Sequence, residues 1–398
     1  MSAASGTGSP IRAIEQFVVP VSDKTVWILL EIRTEDGGAG YGEATAAGSE
    51  TAVLAEIGNA RALLAGKPLM GPGDALAALR TAHLSAPRRI VMSALEQACL
   101  DLLARRADIP LAALLGGPAR PAVPVYANIN RGIPDRSPAG FAARARTVVD
   151  EDGYRAVKIA PFDGLRWDRC DAGTATRLLD QGIARIAAVR EAIGDDVALH
   201  VDCHSRLSPA MARTVLREVE TLRLFWLEDP LDDDAFDAPT AQALRFFAND
   251  RGTRIAGGEQ LSTLAEARAF LARGGVDAVL PDLRLTGIRT AMSMLELAVA
   301  SGVAASLHNP VGPVLDLVSL QVAAALPSFL VLERQVRESP LFDEIRGTPT
   351  RLVDGCLALP AGPGIGVVPD RQALVRHATA EIRPRASFAG LAGAGADA

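Results

Sequence analysis

From about residue 122 the chain settles into a rhythm of short apolar runs separated by amphipathic stretches. The runs are "VPVYANIN" (123–130), "AVKIAPF" (156–162), "VALHVDCHS" (197–205), "LFWLEDP" (224–230), "RIAGGEQ" (254–260), "AVLPDLR" (278–284), "VAASLHNP" (303–310) and "FLVLER" (329–334). Short apolar runs bounded by turn residues predict strands. The intervening "TATRLLDQGIARIAAVREAIG", "MARTVLREVE", "TLAEARAFLARGG" and "IRTAMSMLELAVASG" carry apolar residues at helical spacing. Strands alternating with helices predict parallel pairing through helical crossovers, and eight such units close into a (β/α)8-type TIM barrel. A doubly wound open sheet is the alternative. No GxGxxG follows the first strand, which weakens its dinucleotide-binding form.

The first 120 residues differ. "TVWILLEIRTEDGGAGYGEAT" reads as strand, Gly-rich turn, short strand, and "SALEQACLDLLARRA" as a helix. The predicted organisation is an α+β domain over 1–121, a barrel over 122–345, and a segment 346–398 that packs back on the first domain. Its last residues, "SFAGLAGAGADA", read as a mobile, low-complexity tail.

In such a barrel, reactive groups sit where strands end at their carboxyl side. Strand two ends near Lys158, three with Asp202 and His204, and four with Glu228. Strand five carries Glu259, six Asp282, seven His308 and eight Glu333. If "VALHVDCHS" is one strand, Asp202 and His204 face the same side. A lone acid after a strand is more often a helix cap or loop charge, and Asp229 and Asp232 can be read so. Seven strands in a row are harder to explain that way, because carboxylates converging on one mouth repel. A positive group is therefore expected among Asp202, Glu228 and Glu259. Three oxygen donors without clustered Cys select a hard cation, Mg²⁺ or in substitution Mn²⁺. His204 and His308 are the natural proton carriers. Asp282 can orient His308 and raise its basicity, and "NPVGP" fixes its exit from the strand. His200 reads as core filling, and His83 and His377 as surface or structural.

Composition narrows the partners. Hydrophobic residues make up 49% and charged residues 22%, a globular profile, and the formal net charge of −6 with no basic cluster argues against nucleic acid. No apolar run approaches the roughly 20 residues of a membrane span. The start, "MSAASGTGSP", lacks the basic and apolar regions of a signal peptide. Cys99, Cys170, Cys203 and Cys356 form no CxxC pair and read as reduced thiols in a cytoplasmic protein.

Taken in order, "SALEQACLDLLARRADIPLAALLGG", "VDCHSR", "WLEDPL", "GGEQL", "LPDL" and "HNPVGP" resemble the enolase superfamily, in its mandelate racemase-like branch, over nearly the whole chain. The resemblance implies a capping domain over the barrel mouth and loss of a proton α to a carboxylate, with an enediolate stabilised by Mg²⁺. It implies Asp202, Glu228 and Glu259 as metal ligands and Asp282 with His308 as the base. It also implies Glu333 as the acid that hydrogen-bonds the substrate carboxylate. Cap loops near 17–25 and 44–50, the first offering Lys24, would choose the small carboxylate substrate, and relatives often form homo-oligomers.

Two departures matter. Many relatives carry Lys-x-Lys after strand two; here Lys158 matches the first and Ala160 stands in place of the second. A racemase needs an acceptor on each face of the α-carbon, so this favours one-base elimination. Asp-x-His at Asp202 and His204 resembles acid-sugar dehydratases of the D-galactonate type, whose His protonates the departing 3-hydroxyl. "KIAPFD" and "HNPVGP" also resemble cis-3-hydroxy-L-proline dehydratases. The expectation is a Mg²⁺-dependent dehydratase. A racemase using His308 and Lys158 is the runner-up, and a barrel that only binds metal or ligand is the non-enzymatic alternative.

Overall fold

The computed structural model describes residues 8–81 and 84–379. His83 and the terminal "SFAGLAGAGADA" lie outside the described residues.

The N-terminal sheet is antiparallel, ordered β3-β2-β1-β4, from β1 (Ser9–Pro20), β2 (Val26–Thr34), β3 (Ala39–Glu43) and β4 (Pro68–Leu69). Helix Ala86–Arg106 lies against it. Ser85 caps this helix through the Arg88 amide, Pro87 occupies its first turn, and Arg105 and Arg106 complement the dipole at its end. Gly40 and Gly42 on β3 let the helix backbone approach. A Cβ at either would strike the carbonyl of Ala98 or Ala94.

Eight parallel strands follow: β5 (Ala122–Asn128), β6 (Ala156–Ile159), β7 (Ala198–Asp202), β8 (Trp226–Glu228), β9 (Arg254–Gly257), β10 (Ala278–Val279), β11 (Ala304–Ala305) and β12 (Leu332–Gln335). They pair in sequence from β5 to β11. β12 returns to pair with β5, and a parallel bridge from Leu307 to Leu332 closes the ring. The open doubly wound alternative is thereby excluded. All eight expected strands are present but shorter than their apolar runs. β10 and β11 hold two residues each, and isolated parallel bridges at Asp282–His308 and Leu307–Leu332 continue the pairing beyond them.

Alternation along these strands sorts side chains into two populations. Val125, Val157, Leu199, Leu227, Ile255, Val279, Leu307 and Leu332 point outward into the main core beneath the helices. Each is fully buried, a gain of about 1.5–3 kcal/mol per side chain. Tyr126, Ala156, Trp226, Ala256, Ala278, Leu280 and Val331 form a separate inner cluster.

The C-terminal segment does more than pack on the N-terminal domain. Leu352–Val353 (β13) and Cys356–Ala358 (β14) form a hairpin whose second strand pairs antiparallel with the start of β5. Further on, the Ile365 amide donates to Asp101, and Arg371 reaches Glu15 and Glu31 on β1 and β2. Among the described residues no helix is long and apolar enough to cross a membrane. The four cysteines remain thiols.

Candidate active site

At the carboxyl ends of the strands the inner side chains become ionisable. β7 ends at Asp202 and β8 at Glu228, which are register partners. The side chains of Lys158, Asp202, Glu228, Asp282 and Glu333 are all essentially buried, and those of Glu259 and His308 nearly so.

Lys158 is the hub of one half. Its Nζ lies 2.6 Å from Glu228 Oε1, 2.9 Å from Glu333 Oε1 and 3.8 Å from Asp202 Oδ2. Burial works against its charge, but these carboxylates outweigh it and hold its pKa well above the ordinary lysine value. Glu333 also accepts from Asn128 Nδ2 (2.6 Å) and the Asn309 amide (2.9 Å). Burial would raise its pKa, yet Lys158 and His308 bring it below the usual range.

His308 anchors the other half. Its Nδ1 is 2.9 Å from Asp282 Oδ2 and its Nε2 2.9 Å from Glu259 Oε2. Burial alone would depress its pKa; Glu259, Glu333 and Asp282 together raise it well above normal. Asp282 is itself held low, against burial, by Arg284 and His308. Arg284 grips both oxygens of Asp282 and takes its backbone amide into the same carboxylate.

His204 reaches the site by a different route from the one its spacing suggests. The strand ends at Asp202, so alternation does not extend to it. His204 and Ser205 instead have left-handed φ values of 48° and 55°, uncommon for side-chain-bearing residues. This turn, closed by the His204 amide on Asp202 Oδ1 (2.9 Å), brings His204 Nε2 to 3.0 Å from Asp202 Oδ2. The side chain stays 43% exposed, the most open of the set.

The positive group expected among the three carboxylates is, within the protein, Lys158 against Glu228, His204 against Asp202 and His308 against Glu259. Among the described residues no three Asp, Glu, His or Cys side chains are already gathered as a metal-holding group. The donor set nonetheless fits a hard cation. It supplies oxygen from the ends of three adjacent strands, and against burial His204 and His308 hold the Asp202 and Glu259 carboxyls below their usual range. Burial pushes the Glu228 carboxyl up to about 7 despite Lys158. Asp229 is pushed well above its normal range by burial and by Glu259, Glu228 and Asp202.

Sequence reasoning missed several residues. Asp229 lies in the bend after β8, as a loop charge, but half-buried beside Gly257, where a Cβ would meet its Oδ1 at 2.5 Å. Arg284 was invisible because nothing in "LPDLRL" says that its guanidinium folds back. Arg131, just beyond β5, lies 3.7 Å from Glu338 and 3.3 Å from Thr25 Oγ1, while Ser22 donates to Glu338 at 2.7 Å. The first cap loop therefore meets the barrel at Arg131 and Glu338, and Lys24 stays exposed. His200 fills the core as expected, stacked on Trp226 with centroids 4.3 Å apart. His377, in the C-terminal segment, bonds Glu344 at the end of the barrel.

An α+β cap on a closed parallel barrel, with acids and imidazoles gathered at the carboxyl ends of its strands, defines a capped barrel of the enolase type. The chain belongs to the mandelate racemase/muconate lactonizing enzyme family. Residues 10–116 match the model of the mandelate racemase/muconate lactonizing enzyme N-terminal domain, and 140–373 that of the enolase C-terminal domain-like family. It is 31% identical to D-gluconate dehydratase of Thermoproteus tenax over 88% of this chain and 69% of that protein. It is 28% identical to D-xylonate dehydratase of Haloferax volcanii (88% and 85%) and 26% identical to D-galactonate dehydratase of Xanthomonas euvesicatoria (88% and 90%). The fold matches a crystal structure titled as a mandelate racemase/muconate lactonizing enzyme from Jannaschia sp. with a TM-score of 0.80. That match has 24% identity and covers 94% of this chain and 99% of that one.

Proposed function

We propose that this chain is a Mg²⁺-dependent hydro-lyase that removes water from a sugar acid. The observation that carries the reading is a pair of imidazoles at one mouth, each held by a carboxylate: nearly buried His308 on Asp282 and half-exposed His204 on Asp202. Asp202, Glu228 and Glu259 would hold Mg²⁺ (or Mn²⁺), which when bound supplies Lewis-acid stabilisation of the substrate carboxylate as negative charge develops. As it stands, Glu259 faces His308 Nε2 at 2.9 Å and helps keep the ring protonated; with Glu259 engaged by Mg²⁺ instead, Asp282 would keep the proton on Nδ1 and Nε2 would be free to accept the proton α to that carboxylate. His204, on a more open part of the mouth, gives its proton to the departing β-hydroxyl. Lys158 and Glu333 border the same space, Lys158 as a fixed positive charge. The enol product then tautomerises to a keto acid.

Similarity to gluconate, xylonate and galactonate dehydratases favours a sugar acid over cis-3-hydroxyproline. The racemase alternative needs Lys158 as a base. Its Nζ is fully buried between two carboxylates that keep it protonated, which disfavours that role. The test is α-proton exchange in D₂O and keto-acid formation on a panel of D-gluconate, D-xylonate, D-galactonate and cis-3-hydroxy-L-proline with Mg²⁺. His308→Asn is expected to lose exchange by about 10²–10⁴-fold. His204→Asn should slow water loss while keeping exchange. Normal turnover in both variants, or an inverted stereocentre in place of keto acid, overturns the reading.

A further inference from the structure

The base pair comes from the ends of two neighbouring barrel strands, where Asp282 and His308 form a parallel bridge and the His308 amide donates to the Pro281 carbonyl. Asp282 opens the short helix Leu283–Thr286, and His308 leads into the turn before helix Pro313–Ala325. Both segments are held from the cap. At the end of β3, Glu43 is fully buried and accepts from the amides of Gly312 (2.6 Å), Val314 (3.2 Å) and Leu315 (3.0 Å). On helix Ala86–Arg106, Ser93 Oγ donates to the Leu283 carbonyl at 2.5 Å. Glu96 accepts from the Ile288 amide (2.8 Å) and Arg289 Nε (2.9 Å). Gln97 joins the two arms: its Oε1 accepts from the Glu43 amide (2.9 Å) and its Nε2 donates to Ser93 Oγ (3.0 Å).

We infer that Glu43, with Ser93 and Gln97, is a positioning residue that sets the Asp282–His308 pair from the capping domain. The inference rests on the reading of His308 as the base. An interface needing only adhesion would be served by apolar contact. A buried carboxylate aimed at three backbone amides fixes direction and distance instead, at the cost of desolvation. Burial pushes its carboxyl pKa up, and the three amides work against that shift. The fit leaves no slack. At Gly312, whose φ of −85° suits any residue, a Cβ would lie 2.8 Å from Glu43 Oε1 and 2.8 Å from Trp27 Cδ1. Proton transfer is sensitive to such placement: a shift of about 1 Å costs on the order of 10²-fold in rate.

Glu43→Gln, Ser93→Ala and Gly312→Ala test it in the full-length protein with Mg²⁺. The first readout needs no substrate: the downfield proton resonance of the His308 ring N–H on Asp282, identified by its loss in His308→Asn. It is expected to shift or broaden in Glu43→Gln and Gly312→Ala. The second is kinetic, on whichever acid of the panel the wild type dehydrates: kcat falls about tenfold or more with KM within about twofold. An unchanged resonance in folded Glu43→Gln and Gly312→Ala overturns the inference, as does its absence from the wild type. So does a loss confined to thermal stability with kcat intact. If the wild type exchanges no α-proton on any acid, the dehydratase reading fails, and the resonance still decides the positioning role. Should Glu43→Gln not fold, the other two variants carry the same tests.

Discussion

The barrel interior holds two layers, one alternation step apart on the same strands. Tyr126, His200, Trp226, Leu280 and Val331 make the lower layer; Asn128, Asp202, Glu228, Asp282 and Glu333 stand two residues further along. The lower layer is closed by shape: His200 stacks on Trp226 and meets Tyr126 and Phe225 edge-on at 4.6 and 4.8 Å. The upper layer is closed by charge, each carboxylate facing Lys158, Arg284 or an imidazole. Two histidines, His200 buried and His308 nearly so, make the difference concrete. Burial, with Lys158 and Arg254 adding to it, drives the pKa of His200 well below normal. For His308 the surrounding acids overcome the same burial. Residue type does not set the role; the neighbours' charge does.

The comparison breaks most visibly at Lys158. Lys158→Met leaves Glu228 and Glu333 facing each other without their cation. Removing one partner of a buried ion pair costs roughly 3–5 kcal/mol. Chemical denaturation should show that loss, with partial recovery on adding Mg²⁺ if the carboxylates take up the ion. A variant as stable as wild type would mean that the upper layer is not held by charge.

Trp226 is the seam. It belongs to the lower layer by packing, yet its Nε1 donates to Glu228 Oε2 at 2.9 Å. Trp226→Phe keeps an aromatic ring and loses that bond. A hydrogen bond to a charged group is worth about 1.5–3 kcal/mol. Mg²⁺ affinity, measured by calorimetry, should change with stability here. For His200→Phe, in the same layer but unbonded at both nitrogens, stability should move by less than about 2 kcal/mol and kcat per folded molecule should stay near wild type.

The layers were unequally legible in the sequence. Apolar alternation and the charged residue ending each run announce themselves locally, so the eight strands and the residues from Lys158 to Glu333 could be read directly. What the charges do to each other could not. Lys158 sits where a cation was expected, because two acids from β8 and β12 converge on it in space. Arg284 and Asp229 look like loop charges until the fold turns them, half-buried, toward Asp282 and Gly257. His204 arrived beside Asp202 through a left-handed turn that strand periodicity cannot express. Glu43 reads as the last residue of a hairpin, and its partners lie some 270 positions away along the chain.

The smallest expected effect is the sharpest contrast, because its sign differs between layers. In metal-free protein, His200 is neutral when folded but takes a proton when unfolded below about pH 6.5. The unfolded state then binds more protons, so this residue's contribution to stability rises with pH up to about 6.5. His308 runs the other way. Its folded pKa is raised, so its contribution is fully present below about pH 6.5 and is lost as pH climbs through the folded value. Unfolding free energies of wild type, His200→Phe and His308→Asn between pH 5 and 9 give two difference curves. The His200 curve should slope upward in the acid half and be flat above it. The His308 curve should be flat in the acid half and slope downward above it. Each is limited to about 1.4 kcal/mol per pH unit for one proton. Slopes of the same sign would mean that His308 is not held protonated by Glu259, Glu333 and Asp282, and the division between a layer built by shape and one built by charge would fail at its most exposed point.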